Sequence, residues 1–365
     1  MGLKQTEIGV IPEDWEVKKI SEIANITTGN KNTQDKISTG KYPFFVRSQI
    51  VERINSYSFD GEAVLTAGDG VGVGKVFHYI NDKFDFHQRV YAISQFDSKV
   101  SGFYFFKYFQ NNFYYRIMQM TAKSSVDSVR METIADMYIP LPPLAEQEAI
   151  ANALSDAVAW IETLEQLIAK KRLIKQGAMQ TLLTPKEDWE VKKLGEVCEI
   201  LNNKRIPIKE SERIKGDTPY YGANGIQGYI DGFTHEGECV LVAEDGANDL
   251  NNYPINYTVG KIWVNNHAHV LQGKNMILGT RFLSYLLKSI DFQNVLVGGT
   301  RAKLNKSVLE QIEIPFPSLS EQERIATILS DMDAEIEALE QQLGKARHIK
   351  QGMMQELLTG RTRLV

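Results

Sequence analysis

Two stretches of the chain place apolar residues at every third or fourth position, the spacing that keeps a row of side chains on one face of an α-helix. The first row is Ile150, Leu154, Ala157, Ile161, Leu164, Ile168, Lys171, Ile174, Ala178 and Leu182, with a single lysine in it. The second row is Ile325, Leu329, Met332, Ile336, Leu339, Leu343, Ala346, Ile349, Met353 and Leu357. Alternating steps of three and four are typical of a coiled-coil seam, so the pattern predicts two paired helices of roughly 40 residues each. An ordinary core-facing helix is the alternative, but the length of both rows favours pairing.

The sequence also predicts where these helices begin and end. The segment 320–323 has the form of a capping box, in which the Ser320 hydroxyl accepts a hydrogen bond from the amide three residues on. Ala145 occupies the equivalent place in the first row and lacks that hydroxyl. The pairs Thr184-Pro185 and Thr359-Gly360 indicate the two ends.

The helical rows belong to a longer internal repeat. Residues 139–184 and 314–359, at an offset of 175, are identical at 29 of 46 positions. The hexapeptide at 14–19, DWEVKK, also returns unchanged at 188–193. The order A–B–A′–B′ indicates a tandem duplication. It divides the chain into a first head at 1–143, a central helix at 144–184, a second head at 185–319 and a final helix at 320–365.

The heads have the signals of mixed α/β domains. Short apolar runs at 63–66 and 239–242 predict strands, and each is followed by an acidic-glycine turn, Asp69-Gly70 or Asp245-Gly246. Aromatic-rich segments at 103–115 and 281–292 predict helices. Outside these anchors the two heads differ widely.

The expected fold class is therefore α+β: two mixed α/β domains separated by two long antiparallel coiled-coil helices, with pseudo-twofold symmetry. Each helix would be about 60 Å long at 1.5 Å per residue, with a head at each end. Such a molecule suits two DNA half-sites, and heads that differ predict an asymmetric bipartite target. Lengthening a helix is expected to change the gap between the half-sites.

Composition restricts the possible functions. The net charge is −5 and no segment is strongly basic, so local clusters must provide any DNA contacts, or a partner must supply positive charge. No run of about 18 apolar residues predicts a membrane span, and the first residues lack the apolar core of a signal peptide. The two cysteines, Cys198 and Cys239, both lie in the second head, so a duplicated disulfide or zinc site is not expected. We expect a reducing, cytoplasmic compartment.

The motifs of two enzyme classes are incomplete. The glycine-rich run at 68–75 departs from a P-loop, because Asp69 replaces the first required glycine and Val76 replaces the Ser/Thr that would hold magnesium. An amino-methyltransferase would need an Asn/Asp-Pro-Pro-aromatic motif, but Pro142-Pro143 is flanked by leucines. The sequence therefore predicts a chain without a catalytic site of its own.

Two further patterns resemble metal sites only superficially. The carboxylates and lysine at 12–18 imitate a nuclease site, but metal ligands converge from separate elements rather than from one short segment. His267 and His269 would share one face of a strand, and base contact, phosphate contact or packing is favoured there over zinc. We expect no metal and no cofactor in this chain.

Loops at comparable places in both heads carry the residue types that contact DNA. Arg and Lys recognise guanine, Asn and Gln recognise adenine, and lysine, arginine and hydroxyl groups bind phosphate. The candidates in the first head are Lys31, Arg47, Gln49, Lys75, Gln88, Arg89, Lys123, Ser124 and Arg130. Those in the second head are Lys204, Arg205, Asn224, Gln227, Asn248, Asn266, His267, His269, Arg301 and Lys303. Each residue alone is more often a solvated surface group, but the shared placement favours DNA contact, above all phosphate contact by Arg301 and Lys303.

Taken together, the chain resembles the specificity subunit of a type I restriction–modification system. The resemblance rests on the entrance motifs at 12–20 and 188–194, the junctions IPLPPLAEQ at 139–147 and IPFPSLSEQ at 314–322, and the Lys-Gln-Gly endings of both repeats. It covers nearly the whole chain.

This resemblance implies that each head is a target-recognition domain that reads double-stranded DNA. It also implies assembly with two DNA methyltransferase subunits and with restriction subunits. Methylation at adenine N6, with S-adenosylmethionine, ATP and magnesium, would then belong to those partners. A coiled-coil adaptor that binds only protein is the main alternative.

Overall fold

The computed structural model describes residues 2–120, 128–295 and 303–364. The chain forms two compact units. The first unit contains residues 1–165 and 342–365, and the second contains residues 166–341. No helix among the described residues is long and apolar enough to cross a membrane.

The first unit is built on a six-stranded sheet of order β4-β9-β7-β8-β5-β6. Its elements are β1 Leu3–Thr6, β2 Gly9–Pro12, β3 Glu16–Lys19, α1 Ile20–Ile23, β4 Asn25–Thr28, β5 Tyr42–Phe45, β6 Glu52–Ile54, β7 Phe59–Ala67, β8 Phe77–Phe86, β9 Val90–Ser94, α2 Gly102–Met120, α3 Met131–Ala135 and β10 Tyr138–Leu141. The central strand β7 is almost entirely buried along its second half. Stacked rings of Phe105, Phe109 and Phe113 on α2 belong to the main apolar core of this unit.

A long helix, α4 Leu144–Leu182, follows β10. The second unit then contains β11 Glu190–Lys193, α5 Leu194–Val197, β12 Cys198–Ile200, β13 Thr218–Gly222, β14 Gly225–Ile230, β15 Cys239–Ala243, β16 Ile255–Thr258, β17 Trp263–Val264, β18 Ala268–Gly273, α6 Thr280–Lys288, α7 Lys306–Gln311 and β19 Glu313–Phe316. The last element is α8, Leu319–Leu357. The helix predicted at 281–292 is shorter in the structure, where α6 ends at Lys288.

The two units share a strand order that their sequences conceal. The order β4-β9-β7-β8 in the first unit corresponds to β12-β18-β15-β16 in the second. In the first unit β8 also pairs in parallel with β5. In the second unit a separate short strand, β17, pairs in parallel with β13 instead. The duplication therefore extends through the heads, and one long strand of the first head is divided in the second.

The repeated junctions hold each long helix at its N-terminal end. The entrance strand β3 pairs with β10 before α4, and β11 pairs with β19 before α8. A buried glutamine in the first turn then links the helix to the head. Gln147 Nε2 donates to the carbonyls of Lys99 and Pro142, and Gln322 Nε2 donates to those of Ile277 and Pro317.

The predicted capping box at Ser320 is wrong. Helix α8 begins at Leu319, so Ser320 lies inside its first turn. The Gln322 amide donates to the carbonyl of Ser318 at 3.0 Å, and the Gln147 amide donates to that of Pro143 at the same distance. The hydrogen bonds made by Gln147 and Gln322, rather than a serine hydroxyl, therefore fix the start of both long helices.

Within each unit, ion pairs join α4 to α8. In the second unit Lys171 Nζ lies 2.6 Å from Glu335 Oε1, and Arg172 Nη2 lies 2.6 Å from Glu340 Oε1. In the first unit Arg347 Nη2 lies 2.7 Å from Glu165 Oε1. The lysine that interrupts the apolar row thus has an acidic partner.

Candidate DNA interface

One edge of the first unit gathers basic side chains around a carboxylate. Asp69 follows the central strand β7, and its Oδ1 lies 2.8 Å from Arg47 Nη1. Its Oδ2 lies 3.6 Å from Nε of Arg89, which directly precedes β9. Both arginines remain exposed. Nearby, burial and the positive charge of Arg47 lower the pKa of His87, which favours the neutral ring.

Polar groups from neighbouring loops line the same edge. Gln88 Nε2 donates to Asn32 Oδ1 at 2.6 Å, and the Gln88 amide donates to the carbonyl of Lys31 at 2.9 Å. Arg130 lines the same open cleft as Gln88, Arg89 and Asp69. Five predicted residues of the first head are therefore brought together: Lys31, Arg47, Gln88, Arg89 and Arg130.

The remaining predictions in the first head are less informative. Gln49 and Lys75 are exposed on loops and do not line the cleft around Asp69. Lys123 and Ser124 lie outside the described residues.

The second unit has a carboxylate centre at the corresponding edge. Arg205 Nη1 lies 2.7 Å from Glu244 Oε2, and Lys303 Nζ lies 3.1 Å from Glu244 Oε1. Arg205 Nη1 also donates to the carbonyl of Ala268 at 2.9 Å. Partial burial raises the pKa of Glu244, but the hydrogen bonds from Arg205 and Lys303 outweigh it and hold this pKa below its usual range.

The two predicted histidines have different environments. His267 is exposed, and its Nδ1 lies 2.5 Å from Asp245 Oδ1. His269 is fully buried, its Nε2 lies 2.6 Å from the carbonyl oxygen of Leu304, and burial lowers its pKa. A DNA contact by the His269 side chain therefore does not fit this structure. Among the described residues, no group of three or more His, Cys, Asp or Glu could hold a metal ion.

Amide side chains form a second group in this unit. Asn224 Nδ2 donates to the carbonyl of Gly246 at 2.9 Å, and its Oδ1 accepts from the Asn248 amide at 3.0 Å. Gln227 Oε1 lies 3.5 Å from Asn265 Nδ2. Lys204 and Asn266 are exposed. Arg301 lies outside the described residues, so its predicted phosphate contact stays a prediction.

Two neighbouring positions differ together between the two edges. The strand register makes Gly68 equivalent to Glu244, and Tyr91 equivalent to His269. A Cβ atom at Gly68 would lie 2.8 Å from the Tyr91 ring, so a side chain there would require the ring to shift. Glu244 is possible in the second unit because a smaller imidazole occupies the place of the tyrosine. The Tyr91 hydroxyl donates to the carbonyl of Val129 in the first unit. The contact between His269 and the carbonyl of Leu304 is its equivalent in the second unit.

We expect Glu244→Gln to weaken the response of the second unit to acid. The folded-state pKa of Glu244 is lowered, so its contribution to stability is present above the unfolded pKa and is lost as the pH falls through the folded value. Urea unfolding between pH 7 and pH 3 would measure this. The wild type should lose more stability on acidification than the variant, and parallel pH profiles would contradict the assignment.

Sequence reasoning missed the acids at both edges. Asp69 and Asp245 were visible as repeated Asp-Gly turns, but acidic residues are not expected beside DNA. The repetition of an acid at the same place in two divergent heads was the available signal. Glu244 gave no such signal, because glycine stands in its place in the first head.

The family model described as "Type I restriction modification DNA specificity domain" matches residues 12–171 and 186–346. The chain belongs to this family. The two matches follow the internal repeat, and membership confirms the expected class, a non-catalytic specificity subunit.

Named relatives agree with this placement. The putative type I restriction enzyme MjaX specificity subunit of Methanocaldococcus jannaschii is 24% identical over 99% of this chain and 96% of its own length. The EcoDI specificity subunit of Escherichia coli is 24% identical over 96% of this chain and 88% of its own length. A putative specificity subunit of Haemophilus influenzae is 52% identical, but the match spans only 40% of this chain and 37% of that protein.

Solved structures share the fold. The S subunit of a type I restriction–modification system from M. genitalium superposes with a TM-score of 0.70 at 18% identity, over 97% of this chain and 98% of that one. This confirms the coarse prediction of mixed α/β domains with long helices.

Proposed function

We propose that this chain reads an asymmetric, bipartite DNA sequence, with one half-site for each head. The carrying observation is that equivalent edges of the two units gather hydrogen-bonding side chains of different identity. The first edge presents Arg47, Gln88, Arg89 and Arg130, and the second presents Asn224, Asn248, His267 and Lys303. Different donors at the same place on the same fold would select different bases.

The residue types assign roles within each edge. Arginine donates two hydrogen bonds to guanine O6 and N7, and an amide pairs with adenine N6 and N7. Arg47, Arg89 and Gln88 are therefore the base-reading candidates of the first edge, and Arg130 is better suited to phosphate. Lys303 is the phosphate candidate of the second edge. With an overall charge of −5, local basic clusters provide this chain's phosphate contacts, and partner subunits would add further positive charge.

We further propose that the repeated helices bind two copies of the methyltransferase subunit, one at each copy of an exposed patch. The patch consists of Ile174 and Gly177, three residues apart on one helix face, in the second unit and of Ile349 and Gly352 in the first. Ile174 is 46% exposed and Ile349 is 51% exposed. We call each copy the helix patch.

The glycines support this assignment. Gly177 and Gly352 lie inside helices, where glycine costs about 1 kcal/mol relative to alanine. A Cβ atom added to either would meet nothing within 4 Å, so packing within the chain does not require glycine there. Close approach of a partner would require glycine at these two positions.

Restriction subunits would join the same assembly, and S-adenosylmethionine, ATP and magnesium would bind to the partners.

The decisive test is to purify the chain with the methyltransferase encoded beside it and to map adenine methylation on genomic DNA. We expect one bipartite motif. Replacing residues 185–315 by the same segment of another family member should change one half of that motif and preserve the other. An unchanged motif would overturn the role of the second head. Absence of any sequence preference would favour the protein-only adaptor, and methylation by the isolated chain would overturn the non-catalytic assignment.

A further inference from the structure

The central strand of the first unit places an acid beside a base-reading candidate. Ala67 is paired with Val90 in the sheet, and the Gly68 amide donates to the carbonyl of Arg89 at 2.8 Å. Asp69 is the next residue of the chain. The backbone therefore fixes the Asp69 carboxylate near the Arg89 side chain.

The second unit repeats this arrangement bond for bond. Ala243 is paired with Ala268, and the Glu244 amide donates to the carbonyl of His267 at 2.9 Å. Asp245 follows, and its carboxylate accepts from the His267 ring. Asp245 and Asp69 thus occupy equivalent positions, as do His267 and Arg89.

The turns that carry these acids are also alike. Gly70 follows Asp69 with φ of +75°, and Gly246 follows Asp245 with φ of +68°. This left-handed conformation favours glycine and turns the chain away directly after the acid. An Asp-Gly pair is retained at this place although the surrounding head sequences differ.

We propose that Asp69 and Asp245 are positioning residues that orient the basic side chains reading the two half-sites. The proposal rests on the DNA-recognition function proposed above. A carboxylate at a DNA-facing edge repels phosphate, and ion pairs whose basic partner is exposed add little to stability. Neither affinity for the DNA backbone nor folding stability therefore accounts for an acid at both edges. Orientation of a base-contacting side chain does account for it.

The geometry shows how each acid acts. Asp69 contacts Arg47 through Oδ1 and Arg89 through Oδ2, and so holds two guanidinium groups at one edge. An arginine has five donors, so a contact with Asp69 leaves others for a guanine. Donation from His267 Nδ1 to Asp245 Oδ1 fixes the orientation of the ring and leaves Nε2 to face a base.

The test uses the full chain in complex with its methyltransferase, and a library of duplexes with randomised sequence as the probe. Asp69→Asn should lower base discrimination about tenfold in one half-site, because a freed arginine no longer presents a fixed pair of donors. The same variant should bind scrambled duplex more tightly, and the dependence of log affinity on log salt should steepen by about one. Asp245→Asn should affect the other half-site.

Opposite changes in discrimination and affinity distinguish positioning from a structural role, in which both would fall. Asp136→Asn is the matched control, because it removes the same charge from the exposed ion pair with Lys19, which is not part of the interface. It should leave discrimination unchanged. Wild-type selection without a motif would overturn the proposed function itself. A wild-type motif that Asp69→Asn and Asp245→Asn both preserve would overturn only the positioning role.

Discussion

Replacing Arg363 by alanine is expected to lower the free energy of unfolding of the first unit by about 3 kcal/mol. Glu146 is 0% exposed, and its two oxygens accept from Arg363 Nε at 2.6 Å and Nη2 at 2.7 Å. Its other donor is Trp15 Nε1 at 3.1 Å. Removing the guanidinium would leave a buried carboxylate without its counter-ion. Urea unfolding followed by tryptophan fluorescence would measure the loss.

A control lies two residues away. Arg361 is exposed and lies 3.7 Å from Glu356, so Arg361→Ala should cost no more than about 0.5 kcal/mol. Adding Glu146→Gln to Arg363→Ala should restore part of the lost stability, because the unpaired charge disappears. Equal destabilisation by the two arginine variants would show that Glu146 does not depend on Arg363. The second unit has no such requirement, since the equivalent Glu321 is partly exposed and pairs with Lys186.

Replacing Gly177 or Gly352 by leucine is expected to weaken assembly with the methyltransferase by about 30-fold or more, because a side chain forced into a packed contact costs roughly 2 kcal/mol. The chain alone should become more stable, because leucine favours a helix more than glycine does. Each single variant should reduce the assembly from two methyltransferase copies to one, and the double variant should bind none. Native mass spectrometry would count the copies.

Gly344 is the matched control for these variants. It also lies inside α8, a Cβ atom added there would meet nothing within 4 Å, and alanine already stands at the equivalent residue 169. Gly344→Leu should stabilise the chain without changing the number of bound copies. If the Gly177 and Gly352 variants still bound two methyltransferase copies, the methyltransferase would not bind at the helix patch.

The long helices could be predicted because their signal is repeated over many turns. The prediction of 144–184 corresponds to α4 at Leu144–Leu182. Several members of the apolar rows are buried, among them Leu164, Ile168 and Ile336, whereas Ile174 and Ile349 are exposed. The start of α8 was mispredicted from a short motif. Ser320 matches a capping box locally, but the start is set by the buried Gln322, whose partners at Ile277 and Gly279 are more than 40 positions away.

The heads were less accessible to prediction. Strands at 63–66 and 239–242 were identified from apolar runs, but sheet order depends on which strands pair, and sequence separation does not determine that. Candidate contacts were chosen as hydrogen-bond donors, so His269 was included although it is buried. The acids that hold the donors were excluded by the same criterion. The sequence therefore indicated several of the basic and amide residues that meet at these edges, but not the acids beside them.

The pair Gly68 and Tyr91 in the first unit is replaced by the pair Glu244 and His269 in the second, and this difference has an evolutionary consequence. A side chain at residue 68 would come within 2.8 Å of the Tyr91 ring, so the first edge acquires the arrangement of the second most readily when both residues change together. New specificities should then arise by recombination that exchanges a whole head between genes. The near-identical helical repeats on either side of the second head provide the homologous sequence at which such crossovers can occur.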